Sequence, residues 1–154
     1  MFGSRCDTPA VIAVDAFLRR YPPFDDLPDP ELERVASATQ IEFFKAGTDI
    51  LRQGGEPASY LYVVRTGAVE LLDEGVVVDL LGEGEAFGHP SLTSGLSPAF
   101  SVRAYEDTLC YLIPREVAEG ILATRRGLAF LSSSLRRRTV RALAIRDGTG
   151  RTRA

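Results

Sequence analysis

Between Gln40 and Leu81 the apolar residues recur at every second position in short runs, with glycines standing between the runs. Ile41, Phe43 and Ile50 make the first set, and Tyr60, Tyr62 and Val64 the second. Val69 and Leu71 make the third. Val76, Val78 and Leu80 make the fourth, with Asp79 on the opposite face beside Val77 and Leu81. A period of two sends alternate side chains to opposite faces of a strand. Gly47, Gly54, Gly55, Gly67, Gly75, Gly82 and Gly84 fall where the chain has to turn. Short strands at steady spacing with turns between them argue against a βαβ sheet and predict a compact barrel or roll. Beyond a break from Pro90 to Pro98, rich in Ser, Gly and Pro, two more strands are expected near residues 100–104 and 108–113.

Helical spacing brackets this region. Val11 to Arg20 places Val11, Val14, Phe17 and Leu18 on one side, and Tyr21-Pro22-Pro23 ends the run, because a residue before proline is pushed out of the α region. Pro28 to Ala38 is helical again, with Leu32, Val35 and Ala36 apolar. Pro114 opens a helix through Ala123, and a longer one is expected from about Arg126 to Arg146. Along the longer one Leu128, Leu131, Leu135, Ala142 and Ile145 form an apolar stripe, interrupted by Arg138. Residues 1–10 read as a flexible leader, 11–147 as one domain and 148–154 as a polar tail. Within the domain the roll spans about 40–113 and the C-terminal helices about 114–147.

At 154 residues the chain has room for one core and not two. A net charge of −3 argues against a polyelectrolyte partner, although acidic residues dominate from Asp25 to Glu85 and arginines gather from Arg125 to Arg153. No apolar run reaches the roughly 18 residues that a membrane span needs. Cys6 falls in the leader and Cys110 in an apolar strand, so neither a disulfide framework nor a zinc motif is present. Free thiols suit a reducing compartment, and a cytoplasmic location is expected. His89 is the only histidine. That argues against a cupin-like metalloenzyme, which wants several inward His and Glu ligands, so no cofactor and no catalytic residue are assigned.

The stretch from Phe17 to Ile121 resembles the cyclic-nucleotide-binding domain family, which includes catabolite activator proteins and kinase regulatory subunits. The residues that carry the resemblance are Lys45-Ala46-Gly47-Thr48 with Ile50 and Gln53-Gly54; Tyr60 to Val64 with Thr66-Gly67 and Val69-Glu70; Leu81 to Gly88; and Ser101 to Ala104. The resemblance implies a mainly β fold with flanking helices: a double-stranded β-helix, or jelly-roll-like β-roll, between N-terminal helices and two C-terminal helices. Phe17 to Leu27 and Phe87 to Leu92 also resemble bacterial signal-transduction proteins in which such a domain precedes CBS and nucleotidyltransferase-like domains. That narrower likeness implies downstream domains of a longer protein.

A cyclic nucleotide presents a charged phosphate and a ribose hydroxyl, which call for a guanidinium and a carboxylate. In the family the carboxylate directly follows the Phe-Gly pair, and the arginine lies four residues before the exit-strand valine. Here those places hold His89 and Pro98. Pro90 also removes one backbone donor from the short helix that would face the anion. Loss of the arginine alone is expected to cost about two to three decades of affinity. The candidate cassette, implied by the resemblance, comprises Gly82, Glu83, Phe87, Gly88, His89, Pro90, Ser91, Leu92, Pro98, Ala99, Phe100 and Ser101. Arg103, one residue out of phase with Val102, is expected to face away from it.

Two readings of His89 stand side by side: a locally packed histidine, or a ligand contact that replaces the missing carboxylate. Glu83 and Glu85 read as solvated loop residues, and Tyr60, Tyr62 and Tyr111 as core and rim of the roll. For the late helix, packing back on the roll stands beside a homodimer seam. Arg136, Arg137, Arg138 and Arg141 form a basic cluster, but no helix-turn-helix unit follows, so DNA binding by this chain is not expected. The functional expectation is a regulatory or sensor domain with weak or no classical cAMP or cGMP binding. The alternative is a module that binds cyclic nucleotide or another small ligand through His89 and serines.

Overall fold

The computed structural model describes residues 14–134. Expectations for Cys6, Val11, Leu135, Arg136, Arg137, Arg138, Arg141, Ala142 and Ile145, and for the leader and tail, lie outside the described residues.

Residues 14–18 are helical and bury Val14, Phe17 and Leu18. Helix α1 (Asp29–Ala38) starts after an extended Pro28, with Pro30 in its first turn, where a missing N–H costs nothing. Asp29 and Glu31 in the same turn suit the positive end of the helix dipole. Eight strands follow: β1 (Gln40–Phe44), β2 (Asp49–Leu51), β3 (Tyr60–Thr66), β4 (Val69–Asp73), β5 (Val76–Leu81), β6 (Ala86–Phe87), β7 (Ser101–Ala104) and β8 (Thr108–Pro114). A short helix α2 (His89–Ser94) fills the break between β6 and β7, and α3 (Arg115–Leu122) follows β8. Residues 125–134 are helical.

The strands form two antiparallel sheets, β1-β8-β3-β6 and β2-β7-β4-β5. Apart from the β4–β5 hairpin, neighbours in each sheet are distant in sequence, as the β-roll topology requires. Tyr62, Val64, Val69, Leu71, Phe87, Val102, Cys110 and Leu112 pack between the sheets. Leu61, Val63, Tyr111 and Ile113 point the other way and pack under the helices with Phe17, Leu18, Leu32, Val35 and Ile121. Strands β3 and β8 are therefore apolar on both faces, which is why their sequences read as nearly continuous hydrophobic runs. Gly67 turns β3 into β4 with φ +91°, and a Cβ there would sit 2.5 Å from the Asp107 carbonyl oxygen. The Thr108 hydroxyl closes the same corner, bonding the Ala68 carbonyl (2.9 Å) and N–H (3.2 Å).

Three sequence patterns fold differently from their simplest reading. In β1, Ile41 and Phe43 are 52% and 58% exposed. They stand opposite Tyr111 and Leu109, on the outer face of the sheet, while Glu42 pairs with inward-facing Cys110. A charge on the inner side of an edge strand discourages pairing with a stranger. In β5 the alternation breaks because Leu71 pairs with Asp79 and Leu72 with Val77, leaving Val78 as an extra residue. This bulge buries Val78 and Asp79 together and leaves Val76 and Leu80 exposed. Along residues 125–134 the packed face is Gly127, Phe130, Leu131 and Ser134, whereas Leu128 is 56% exposed. The Leu128-Leu131 stripe is thus displaced, and the described part of this helix packs back on the roll.

Candidate functional site

The β6–α2–β7 segment folds over one end of the inter-sheet core. Gly88, with φ +87°, forms the N-cap of α2 and turns the chain from β6 into the helix. A side chain there would crowd the Tyr60 carbonyl and the Tyr62 ring. His89, Pro90 and Ser91 are its first three residues, so Pro90 withholds the second N–H of a helix only six residues long.

Beneath the segment lies a cavity of about 130 Å³. Leu51, Leu71 and Val102 line it from the sheets, and Phe87, Gly88, Pro90 and Ser91 from β6 and α2. Pro98, Ala99 and Phe100 complete the wall. Phe87 is held by stacking on Tyr62, with ring centroids 4.7 Å apart and planes 9° from parallel. Among the described residues no charged side chain lines the cavity.

Four of the polar groups around it have protein partners. The Ser91 hydroxyl accepts from the Ala58 N–H at 2.9 Å and donates to the Leu96 carbonyl. The Pro98 carbonyl accepts from the Gly54 N–H at 3.0 Å. The Ala99 carbonyl accepts from Gln53 Nε2 at 3.0 Å, and the Ser101 hydroxyl oxygen accepts from the Gln53 N–H at 3.0 Å. Gln53 also reaches Asp73 Oδ1 (2.9 Å) and the Glu74 N–H (2.8 Å), so one amide sews the cavity rim to the β4–β5 turn.

The remaining expected residues lie elsewhere. Gly82 donates its N–H to Glu85 Oε2 at 3.0 Å, and Glu83 sits 4.0 Å from Arg65. Glu83 and Glu85 border a separate cleft of about 510 Å³ between the β5–β6 turn and the C-terminal helical residues. Leu92 is buried in the helix-side core. Arg103 pairs with Glu70 at 2.9 Å, out of phase with buried Val102.

His89 does not face the cavity. Its ring is fully buried, with Nε2 2.9 Å from the Ser134 hydroxyl and the ring centroid 5.2 Å from that of Phe130. The imidazole is thus packed in this structure against Ser134 and Phe130. The imidazole is turned toward the C-terminal helical residues because these supply both a hydroxyl partner and an aromatic wall. A second tie joins the segment to α3: Arg115 donates to the Leu92 carbonyl at 3.1 Å and to the Ala58 carbonyl at 3.0 Å. Neither Ser134 nor Arg115 stands out in the sequence, since each becomes a partner only through the fold.

Two groups near the inner core carry shifted acidities. Burial, with the Glu42 carboxylate adding to it, pushes the Cys110 thiol up to about 12. Burial first, and then Glu42, pushes the Tyr62 phenol up to about 12. Among the described residues no cluster of three His, Cys, Asp or Glu could hold a metal, and no helix is long and apolar enough to cross a membrane.

A family model of the cyclic nucleotide-binding domain matches residues 41–125, more than half of the chain. A cGMP-dependent protein kinase of Eimeria tenella is 32% identical over 92 residues, 59% of this chain but 9% of the kinase. The regulatory domain of Toxoplasma gondii PKA, solved with cAMP, superposes with a TM-score of 0.73 at 26% identity, covering 82% of this chain and 51% of that one. The regulatory subunit of a cAMP-independent protein kinase A from Trypanosoma cruzi, bound to guanosine, has a TM-score of 0.68 at 23% identity and shares the fold. It covers 73% of this chain and 41% of that one.

Proposed function

The chain belongs to the cyclic nucleotide-binding domain family, and from that membership we propose that it is a non-catalytic regulatory module whose cassette no longer anchors a cyclic phosphate. One observation carries the reading. Among the described residues no charged side chain lines the cavity under α2, and the Ser91 hydroxyl and the Pro98 and Ala99 carbonyls there already have protein partners. A phosphate entering it would exchange water for an apolar wall without gaining a counter-charge, which is strongly unfavourable. The cavity is also smaller than the roughly 300–1,000 Å³ typical of small-molecule sites. The guanosine complex of the Trypanosoma cruzi protein is a precedent for a fold of this kind holding a ligand without a phosphate.

The module's output runs through the ties that α2 makes to α3 and to Ser134. A downstream domain or a second copy of the chain receives it there. Calorimetric titration with cAMP and cGMP tests the reading. It expects no saturation below millimolar ligand; clear micromolar binding of either nucleotide refutes it.

A further inference from the structure

We propose that the cavity under α2 is a site for a compact, uncharged, apolar molecule about the size of one aromatic ring. The inference rests on the reading that the cassette has lost its charged anchors, and it adds the chemistry that takes their place. The volume of about 130 Å³ is close to that of an engineered cavity of roughly 150 Å³, lined by Leu, Ile and Phe, which stays dry and accepts benzene or xenon. Here Leu51, Leu71, Phe87, Phe100 and Val102 supply the same kind of wall. Water is a poor occupant of so apolar a wall, because a buried water needs two to four polar partners and the Ser91 hydroxyl and the Pro98 and Ala99 carbonyls are engaged. The wall is also rigid. Phe87 is stacked on Tyr62, and Gln53 fixes the 98–101 segment.

Position gives such a ligand a consequence. It would press on Pro90 and Ser91 of α2, whose neighbours His89 and Leu92 are tied to Ser134 and Arg115. Occupancy of an uncharged site is thereby linked to the C-terminal helices. The charged cassette of the family is replaced by shape and apolar contact.

Benzene is the probe. In a methyl-detected NMR titration of the full chain, Leu51, Leu71 and Val102 are expected to shift together and saturate at or below millimolar benzene. Val102→Phe fills the cavity from the sheet and is expected to weaken binding at least tenfold. Should that variant not fold, Ala99→Phe at an exposed rim position projects a ring toward the same space and is expected to do the same. Shifts that never saturate, that fall on other methyls, or that persist unchanged in the folded variant overturn the inference. A parallel cAMP titration separates the two levels. Absence of both ligands overturns this inference alone, whereas micromolar cAMP binding overturns the reading beneath it.

Discussion

His89 Nε2 and the Ser134 hydroxyl lie 2.9 Å apart, and both side chains are buried although 45 positions separate them in the chain. The first residue of α2 is thus bonded to the helical residues that follow α3. Phe130, one turn before Ser134, covers the imidazole from the same face. The first residue of α2 thus faces a structural joint and is not among the residues that line the cavity.

Removing that hydroxyl leaves a buried ring nitrogen without this partner, so Ser134→Ala is expected to cost about 1–3 kcal/mol. Urea unfolding reads the loss. Limited trypsin digestion of the folded protein should also cut faster at Arg125 and Arg126 as the joint loosens. Unchanged stability and unchanged cleavage would contradict a structural role for the pair.

Arg115 forks between the carbonyls of Leu92 and Ala58. A lysine ammonium lacks the planar fork needed to hold both in one geometry. Arg115→Ala is therefore expected to cost about 1.5–3 kcal/mol, and Arg115→Lys part of that. Amide hydrogen exchange across residues 89–94 should accelerate in both variants, and more in the alanine one.

Alkaline pH should weaken the fold through Cys110 and Tyr62. Both folded-state acidities are shifted upward, to about 12 from ordinary values of 9.0 and 10.0, so each group keeps its proton in the folded chain after losing it in the unfolded one. The unfolded state then binds fewer protons, and stability falls as pH rises from about 9 toward 12. Denaturation midpoints measured from pH 8 to 11 should decline. Cys110→Ala and Tyr62→Phe should each flatten the decline, apart from any packing loss that is constant with pH.

Much of this fold is legible in the residue pattern. Glycine-punctuated alternation gives the roll, and the spacing of Leu32, Val35 and Ala36 gives α1, because burial on one face imposes a period that sequence displays directly. Asp79 and Val78 show where the pattern stops being readable: a bulge lets two consecutive residues be buried, and only the pairing register reveals it. Ile41 and Phe43 alternate correctly for a strand, yet the period does not say which face is covered. In the candidate cassette, the identities of His89 and Pro98 are plain in the sequence. The direction of the imidazole is not, because it depends on Ser134 and Phe130 arriving from a helix remote in the chain.

Introducing a guanidinium provides a gain-of-binding prediction. Pro98→Arg places a cation at the cavity wall and is expected to raise cAMP affinity by about one to two decades, the worth of a charge-assisted hydrogen bond. The gain should stay below the two to three decades expected from the loss, since His89 still supplies no carboxylate and the cavity has to open. Fluorescence competition with a labelled cyclic nucleotide measures the ratio.

The most direct measurement is a side-by-side calorimetric titration of the wild-type chain and Pro98→Arg with cAMP under identical conditions. No saturable heat is expected for the wild type below millimolar nucleotide, and measurable binding is expected for the variant. Micromolar binding to the wild type would contradict this, and so would a variant that binds no better than the wild type.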